Sequence, residues 1–178
     1  IPRRPGRDRD IYGLLSNSEP HISFTAAEEE LGRNSLIRLG VPEGSPFVCF
    51  HARDTVHLDA AFPGRDWRYQ DHRNSSIHNY LPGVEYLTQH GYYALRTSAY
   101  VEEPLGATGP GILDYATEGR SDFLDIYLGA KCRFFICDTA GISTIPMIFR
   151  RPIAWVNYVP LELAHTSGPH DLFIPKKI

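Results

Sequence analysis

Two rhythms of apolar and polar residues alternate along the chain. Short, largely apolar runs occur at Pro46 to Phe50, Tyr92 to Arg96, Ile112 to Tyr115, Arg133 to Cys137 and Ile153 to Val156. Runs this short, rich in aromatic and β-branched side chains and bounded by Gly or Pro, predict strands covered on both faces. Between them the apolar positions recur at helical spacing. Leu31, Ser35, Leu36 and Leu39 follow an acidic first turn and stop at Gly40, and Thr25 with Glu28 three residues on predicts a capping box. Ile77, Tyr80, Leu81, Val84 and Leu87 form a second stripe behind a Ser75 or Ser76 cap, with Pro82 bending that helix or shifting its start. Phe123, Leu124, Tyr127 and Leu128 line a third helix over residues 121–131, and Asp138 to Ser143 opens a fourth, short one. Strands separated by helices predict right-handed βαβ units, hence an α/β fold with a parallel sheet of about five strands and helices on both faces.

Two stretches break these rhythms. Ile1 to Asp10 holds four arginines, two aspartates, two prolines and a glycine, too little apolar surface to order itself. Residues 1–24 are accordingly expected to be an arm or linker, and residues 25–178 the folded domain. Asp54 to Ser76 shows neither period and is dense in polar groups, which predicts a long functional loop, partly ordered by Phe62, Trp67 and Tyr69.

Composition narrows the function classes. A chain of 178 residues, 42% of them hydrophobic, suits one domain with a sizeable core. Eighteen basic residues against 21 acidic ones, a net charge of -3 and a pI near 6.2 give no electrostatic footprint for nucleic acid. Cys49, Cys132 and Cys137 are odd in number and form no CxxC, which argues against a zinc knuckle or disulfide framework and for a reducing, cytoplasmic setting. No apolar run has the length of a transmembrane helix. The chain begins with Ile, so a fragment or processed product is expected.

Three polar clusters follow predicted strands, and in a parallel sheet such tips share the edge where ligands bind. They are His51/Arg53/Asp54, Gly119/Arg120/Ser121/Asp122 and Asp138/Thr139/Gly141/Ser143. Small residues opening a helix after a strand leave backbone N–H groups for an anion, and Thr139, Gly141 and Ser143 fit that role or that of ordinary caps. Arg53 is placed to fork two donors onto a diphosphate. Neither GxGxxG, GxxxxGK[ST] nor GxSxG occurs, which weakens dehydrogenase, P-loop and α/β-hydrolase readings. His51, His57, Asp59, Asp71, His72 and His78 leave a metal-dependent phosphoester hydrolase as one alternative, and a non-catalytic nucleotide- or phosphate-binding module is another.

The segments His51-Ala52-Arg53-Asp54, Asp71 to Pro82, Gly119 to Leu128 and Phe134 to Gly141 together resemble a bacterial family of glycosyltransferases, over residues 45–177. More distantly, His-x-Arg after a strand and the later Thr-x-Gly-x-Ser are similar to the nucleotide-sugar half of fucosyltransferase-like enzymes of the two-Rossmann-domain GT-B architecture. The resemblance implies a Rossmann-like, donor-binding C-terminal domain that transfers a hexosyl or fucosyl group from a nucleotide sugar to a glycan or other hydroxyl acceptor, with no metal or other cofactor. It implies an N-terminal acceptor domain missing from this chain. By the same resemblance Arg53 holds the donor diphosphate and the Thr139 to Ser143 turn lies by the phosphates. Arg73, Asn74, Arg120, Ser121 and Asp122 are candidates for the rest of the donor. His51 or Asp54 is the expected general base. One departure stands out: Cys137-Asp138 sets a carboxylate beside the expected phosphate site, tolerable where Asp138 turns away or meets a ribose.

Overall fold

A computed structural model describes residues 10, 13–106, 108–161, 164 and 168–177. Its centre is a six-stranded sheet in the order β3-β2-β1-β4-β5-β6, with every neighbouring pair parallel. The strands are β1 (Phe47–His51), β2 (Tyr93–Arg96), β3 (Ile112–Leu113), β4 (Phe135–Cys137), β5 (Ile153–Tyr158) and β6 (Leu172–Pro175). This is the doubly wound Rossmann order. The chain steps outward from β1 to β3, then returns across the sheet to lay β4 against the other side of β1, so the carboxyl ends of β1 and β4 meet at a topological switch point. His51 stands opposite Cys137 there.

The pleat sorts the core into two layers. Phe47 and Cys49 of β1 join Leu95, Phe135, Cys137, Ile153 and Trp155 on one face, under α4 (Asp122–Lys131). Val48 and Phe50 join Ala94 and Ile112 on the other face, under α3 (Leu81–Gln89). Val48, Cys49 and Phe50 are completely buried, as an apolar run covered on both faces requires. α1 (Ala26–Arg38) starts with the expected capping box, in which Thr25 and Glu28 exchange hydrogen bonds, and lies against α4. Here the stripe differs from the expected one. Leu31 is 47% exposed, and the buried position is Gly32, where a side-chain carbon would fall 2.2 Å from the Tyr127 ring. Leu36 and Leu39 of the expected stripe do pack against the core, and close approach of the two helices at Gly32 completes the inward face of α1.

Other differences are local. The loop over 54–76 contains α2 (Val56–Ala61) and a 3₁₀ helix at Arg68–Arg73. Ser76 caps a second 3₁₀ turn, Ile77–Tyr80, by accepting from the His78 N–H, and Pro82 sits in the first turn of α3, so the proline shifts the α-helical start and does not bend the helix. α5 (Thr144–Ile148) follows a 3₁₀ turn at Gly141–Ser143. β6 had no counterpart among the expected strands: Leu172 to Pro175 is an exposed edge strand that ends in proline, too short to show a period. The expected N-terminal arm lies outside the described residues at 1–9, 11 and 12. Farther along it the Asp10 carboxylate accepts from Leu14 and Leu15 N–H, Arg150 donates to Ser18, and Phe24 stacks on Phe149. Among the described residues no helix is long and apolar enough to cross a membrane, and the three cysteines are free and buried.

Candidate functional site

β1 ends at His51, and the buried residues Ala52 and Arg53 carry the chain over the switch point. β4 ends alongside, and its next residue, Asp138, is fully buried. The Asp138 Oδ2 accepts from the Arg53 N–H at 2.9 Å and from the Ser75 hydroxyl at 2.6 Å. Ser75 N–H in turn donates to the Arg53 carbonyl at 2.9 Å. One carboxylate therefore ties together the tips of both central strands and the polar loop over 54–76. It faces inward, and its negative charge is met by two donors, which is how a carboxylate and a neighbouring anion site coexist. The second oxygen, Oδ1, is buried without a hydrogen-bond partner among the described residues.

The same loop delivers cations. Arg53 donates to the Gln70 carbonyl and to the Asn74 side chain. Arg73 donates through Nε to the Thr139 hydroxyl at 3.2 Å, and to the Thr139 carbonyl and the Gln70 side chain. From beyond β6, Lys176 holds this loop by donating to the His72 and Asn74 carbonyls at 2.9 and 2.8 Å. Burial first, and then the nearby Arg73 charge, lowers the affinity of the Arg53 guanidinium for its proton below the ordinary value, against pulls from Asp138, Asp54 and Asp71. Two crowded guanidinium groups of this kind are relieved by an anion.

His51 is half-buried, with Nδ1 2.7 Å from the Thr97 carbonyl oxygen. A carbonyl only accepts, so Nδ1 carries the proton. Removal from water pushes the imidazole below the usual histidine range, partly countered by Asp138 and by the Thr97 contact. The ring is then neutral at pH 7 and Nε2 is a bare lone pair.

Two clefts open at this edge and share Arg53 and Asp54. The larger, about 550 Å³, is walled by His51, Arg53, Asp54, Arg73, Asp125 and the turn Ala140 to Ile142. Neither Gly141 nor Ile142 N–H donates to any described group. The smaller, about 310 Å³, lies between Asn74 to Ile77, Arg96 and the acidic pair Glu102 and Glu103.

The structure thus brings His51, Arg53, Asp54, Arg73 and Gly141 around one cleft, and sets Asn74 across the shared wall. Thr139 stands behind them. Its hydroxyl donates to the Val159 carbonyl at 2.8 Å and accepts from Arg73, so it braces the turn. Ser143 is also buried and donates to the Ala140 carbonyl. The expected trio Arg120, Ser121 and Asp122 does not line either cleft. Ser121 is the N-cap of α4, accepting from Leu124 N–H, and Arg120 pairs with Asp122 at 3.1 Å and Asp125 at 2.7 Å. From that helix it is Asp125 that reaches the larger cleft. Burial raises its carboxyl above the usual range, and hydrogen bonds from Tyr115 and Arg120 offset part of the rise. Sequence reasoning passed over Gln70, Asp125 and Lys176, which lie outside the strand-tip motifs. No three of the described His, Cys, Asp and Glu side chains gather into a set able to hold a metal ion, so the dispersed histidines and aspartates do not form the donor cluster considered from sequence.

With this geometry in view, comparison with known proteins adds one fold relationship. No protein-family model and no curated protein matches the chain. Among solved structures, it is similar to the glycosyl transferase family 9 protein of Veillonella parvula DSM 2008. The TM-score is 0.55 at 14% sequence identity, over 89% of this chain and 42% of that one. The chain therefore spans less than half the length of that protein, and the shared feature is the Rossmann-like α/β fold.

Proposed function

We propose that this chain is the donor-binding domain of a glycosyltransferase, which binds a nucleotide sugar in the larger cleft. The observation that carries the reading is the convergence of Arg53, Arg73 and the open Gly141 and Ile142 N–H groups at the β1/β4 switch point, where sheets of this order bind ligands. The fold likeness to a glycosyl transferase family 9 protein supports it.

In this reading the diphosphate lies against both guanidinium groups. An acceptor hydroxyl oxygen bonds to the anomeric carbon, the bond from that carbon to the diphosphate breaks, and the departing oxygen keeps the electron pair. Negative charge grows on the diphosphate, where Arg53, Arg73 and the two backbone donors stabilise it. No metal is needed for that charge. His51, which lines the larger cleft, receives the acceptor proton at Nε2, because Nδ1 already carries the proton it donates to the Thr97 carbonyl. Asp54 stands as the other candidate base, on the wall shared by both clefts. A hexosyl or fucosyl group is the expected cargo. The acceptor site belongs to a second domain outside this chain, in keeping with the greater length of the family 9 protein. Three buried, unpaired thiols suit a cytoplasmic home.

Calorimetric titration with a panel of nucleoside diphosphates tests the reading, with and without EDTA. Native protein should bind one of them in either buffer, and Arg73→Ala should weaken binding by about tenfold or more, the scale of a lost charge-assisted hydrogen bond. A folded chain that binds none, or binds only with a divalent metal, would refute it.

A further inference from the structure

The two clefts carry opposite charge across one wall. In the larger, Arg53 and Arg73 face Asp54, while Asp125 is already paired with Arg120. The smaller holds the carboxylates of Asp54, Glu102 and Glu103. Of its two arginines, Arg96 is buried, donates to the Glu103 carbonyl at 2.7 Å and lies 3.5 Å from Asp114. Its charge is therefore spent on Asp114, and Arg53 remains as the cation, at the wall common to both clefts. His78 shares Glu103 at 3.0 Å on the rim. The rest of the lining is mostly hydroxyl and amide, from Thr55, Asn74, Ser75 and Ser76, with Ala52 and Ile77 as its apolar part.

Size divides the roles in the same way. Ligand pockets run from about 300 to 1,000 Å³. A cleft of about 310 Å³ suits a group the size of one sugar, and its neighbour of about 550 Å³ suits the nucleotide. A diphosphate held on Arg53 would put its two substituents on either side of the shared wall.

We infer that the smaller cleft is the subsite for the transferred sugar, and that Asp54, Glu102 and Glu103 select an uncharged, hydroxyl-rich sugar over one bearing a carboxylate. This rests on the donor-binding reading of the larger cleft. Carboxylates and amides accept from and donate to vicinal hydroxyls, whereas a hexuronate would bring a negative charge against three others. The segment between β2 and β3 builds both sites: it gives Ser98 and Ala99 to the larger cleft and Glu102 and Glu103 to the smaller.

The test measures affinities of UDP and GDP, of UDP-glucose and GDP-mannose, and of UDP-glucuronate and GDP-mannuronate. Native protein is compared with the Glu102→Gln/Glu103→Gln double variant, whose changed residues are exposed at the rim. For the nucleotide that binds, the neutral sugar should be preferred over its acid by about tenfold, the scale of one added like-charge contact near a surface, and the double variant should bring that ratio toward one. Equal affinity for the neutral and acidic sugars, or a ratio unchanged in the double variant, would overturn the sugar subsite while leaving nucleotide binding in place. Failure of the folded protein to bind any nucleotide or nucleotide sugar would overturn both.

Discussion

Asp138→Ala probes the junction on which the site depends. The carboxylate is fully buried and accepts from Arg53 N–H at 2.9 Å and Ser75 Oγ at 2.6 Å. Removing it leaves the buried Arg53 N–H without an acceptor and leaves the half-buried Ser75 hydroxyl only the Tyr80 hydroxyl, 3.3 Å away. Hydrogen bonds to a charged group contribute about 1.5–3 kcal/mol each, so losing two gives roughly 3–6 kcal/mol. Against that, the buried charge and its unpartnered Oδ1 disappear, relieving on the order of 1–3 kcal/mol. At the centre of these ranges the expected net loss is about 2.5 kcal/mol. Asp138→Asn keeps one acceptor oxygen and should cost about half as much. Urea unfolding measures both, and the slope of free energy on denaturant should stay constant because the same surface is exposed. Pairing Ser75→Ala with Asp138→Ala in a double-mutant cycle should show a coupling of about 0.5–3 kcal/mol. A loss below about 1 kcal/mol for Asp138→Ala, with no coupling to Ser75, would refute the claim that this carboxylate joins the two strand tips to the loop.

Three further outcomes are expected. Gly32→Ala places a methyl carbon 2.2 Å from Tyr127 Cζ, so α1 and α4 must separate; thermal unfolding should report a loss of about 1–3 kcal/mol, and an unchanged midpoint would dismiss the close approach. Ser121→Ala removes the N-cap of α4 and should lower stability by about 1 kcal/mol; a large fall in nucleotide affinity alone would return Ser121 to the binding site. His51 has a lowered folded-state pKa, so below about pH 6.5 the unfolded chain takes up more protons than the folded one. Its contribution is complete above that pH and is lost as pH falls through the folded value. Unfolding at pH 8 and pH 5 should therefore show a smaller acid-side loss in His51→Gln than in native protein, and identical losses would exclude a depressed pKa.

The strand tips were legible because burial on both faces writes a continuous apolar run, and such a run ends where side chains must turn polar. Phe47 to Phe50 is the clearest case: the run locates β1, its end locates His51 and Arg53, and the fold likeness agrees with the sheet it implies. β6 was not legible, because an exposed edge strand of four residues has no core face to pattern. Helix faces were only partly readable. Leu124, Tyr127 and Leu128 obey the 3.6-residue period, whereas Gly32 faces the core through the absence of a side chain, which hydrophobicity cannot signal. Within the site, residue type identified the polar groups but not their employment. Thr139 and Ser121 look like ligand contacts by sequence, and each spends its hydroxyl on the backbone. Only tertiary geometry reveals such commitments.

The same distinction explains the pairing of acid and base at the switch point. Asp138 engages the main chain of Arg53 and leaves its guanidinium to the loop and the cleft, so backbone position and side-chain charge are held by different partners. A carboxylate that instead met the guanidinium would neutralise the cation an anionic ligand needs. Arg73 follows the same logic. Thr139 offers it uncharged oxygens, a hydroxyl and a carbonyl, so it is oriented without being neutralised. Positive charge in the larger cleft is thus positioned by dipoles and amides, while Asp138 anchors the backbone, Asp125 is paired with Arg120, and Asp54 stands on the wall shared with the smaller cleft. Exchanging Thr139 for Asp tests that arrangement: the new carboxylate would pair with Arg73, and nucleoside diphosphate affinity should fall by about tenfold or more from added repulsion and lost positive charge. Retained affinity in a folded Thr139→Asp variant would show that the net charge of this wall does not govern binding.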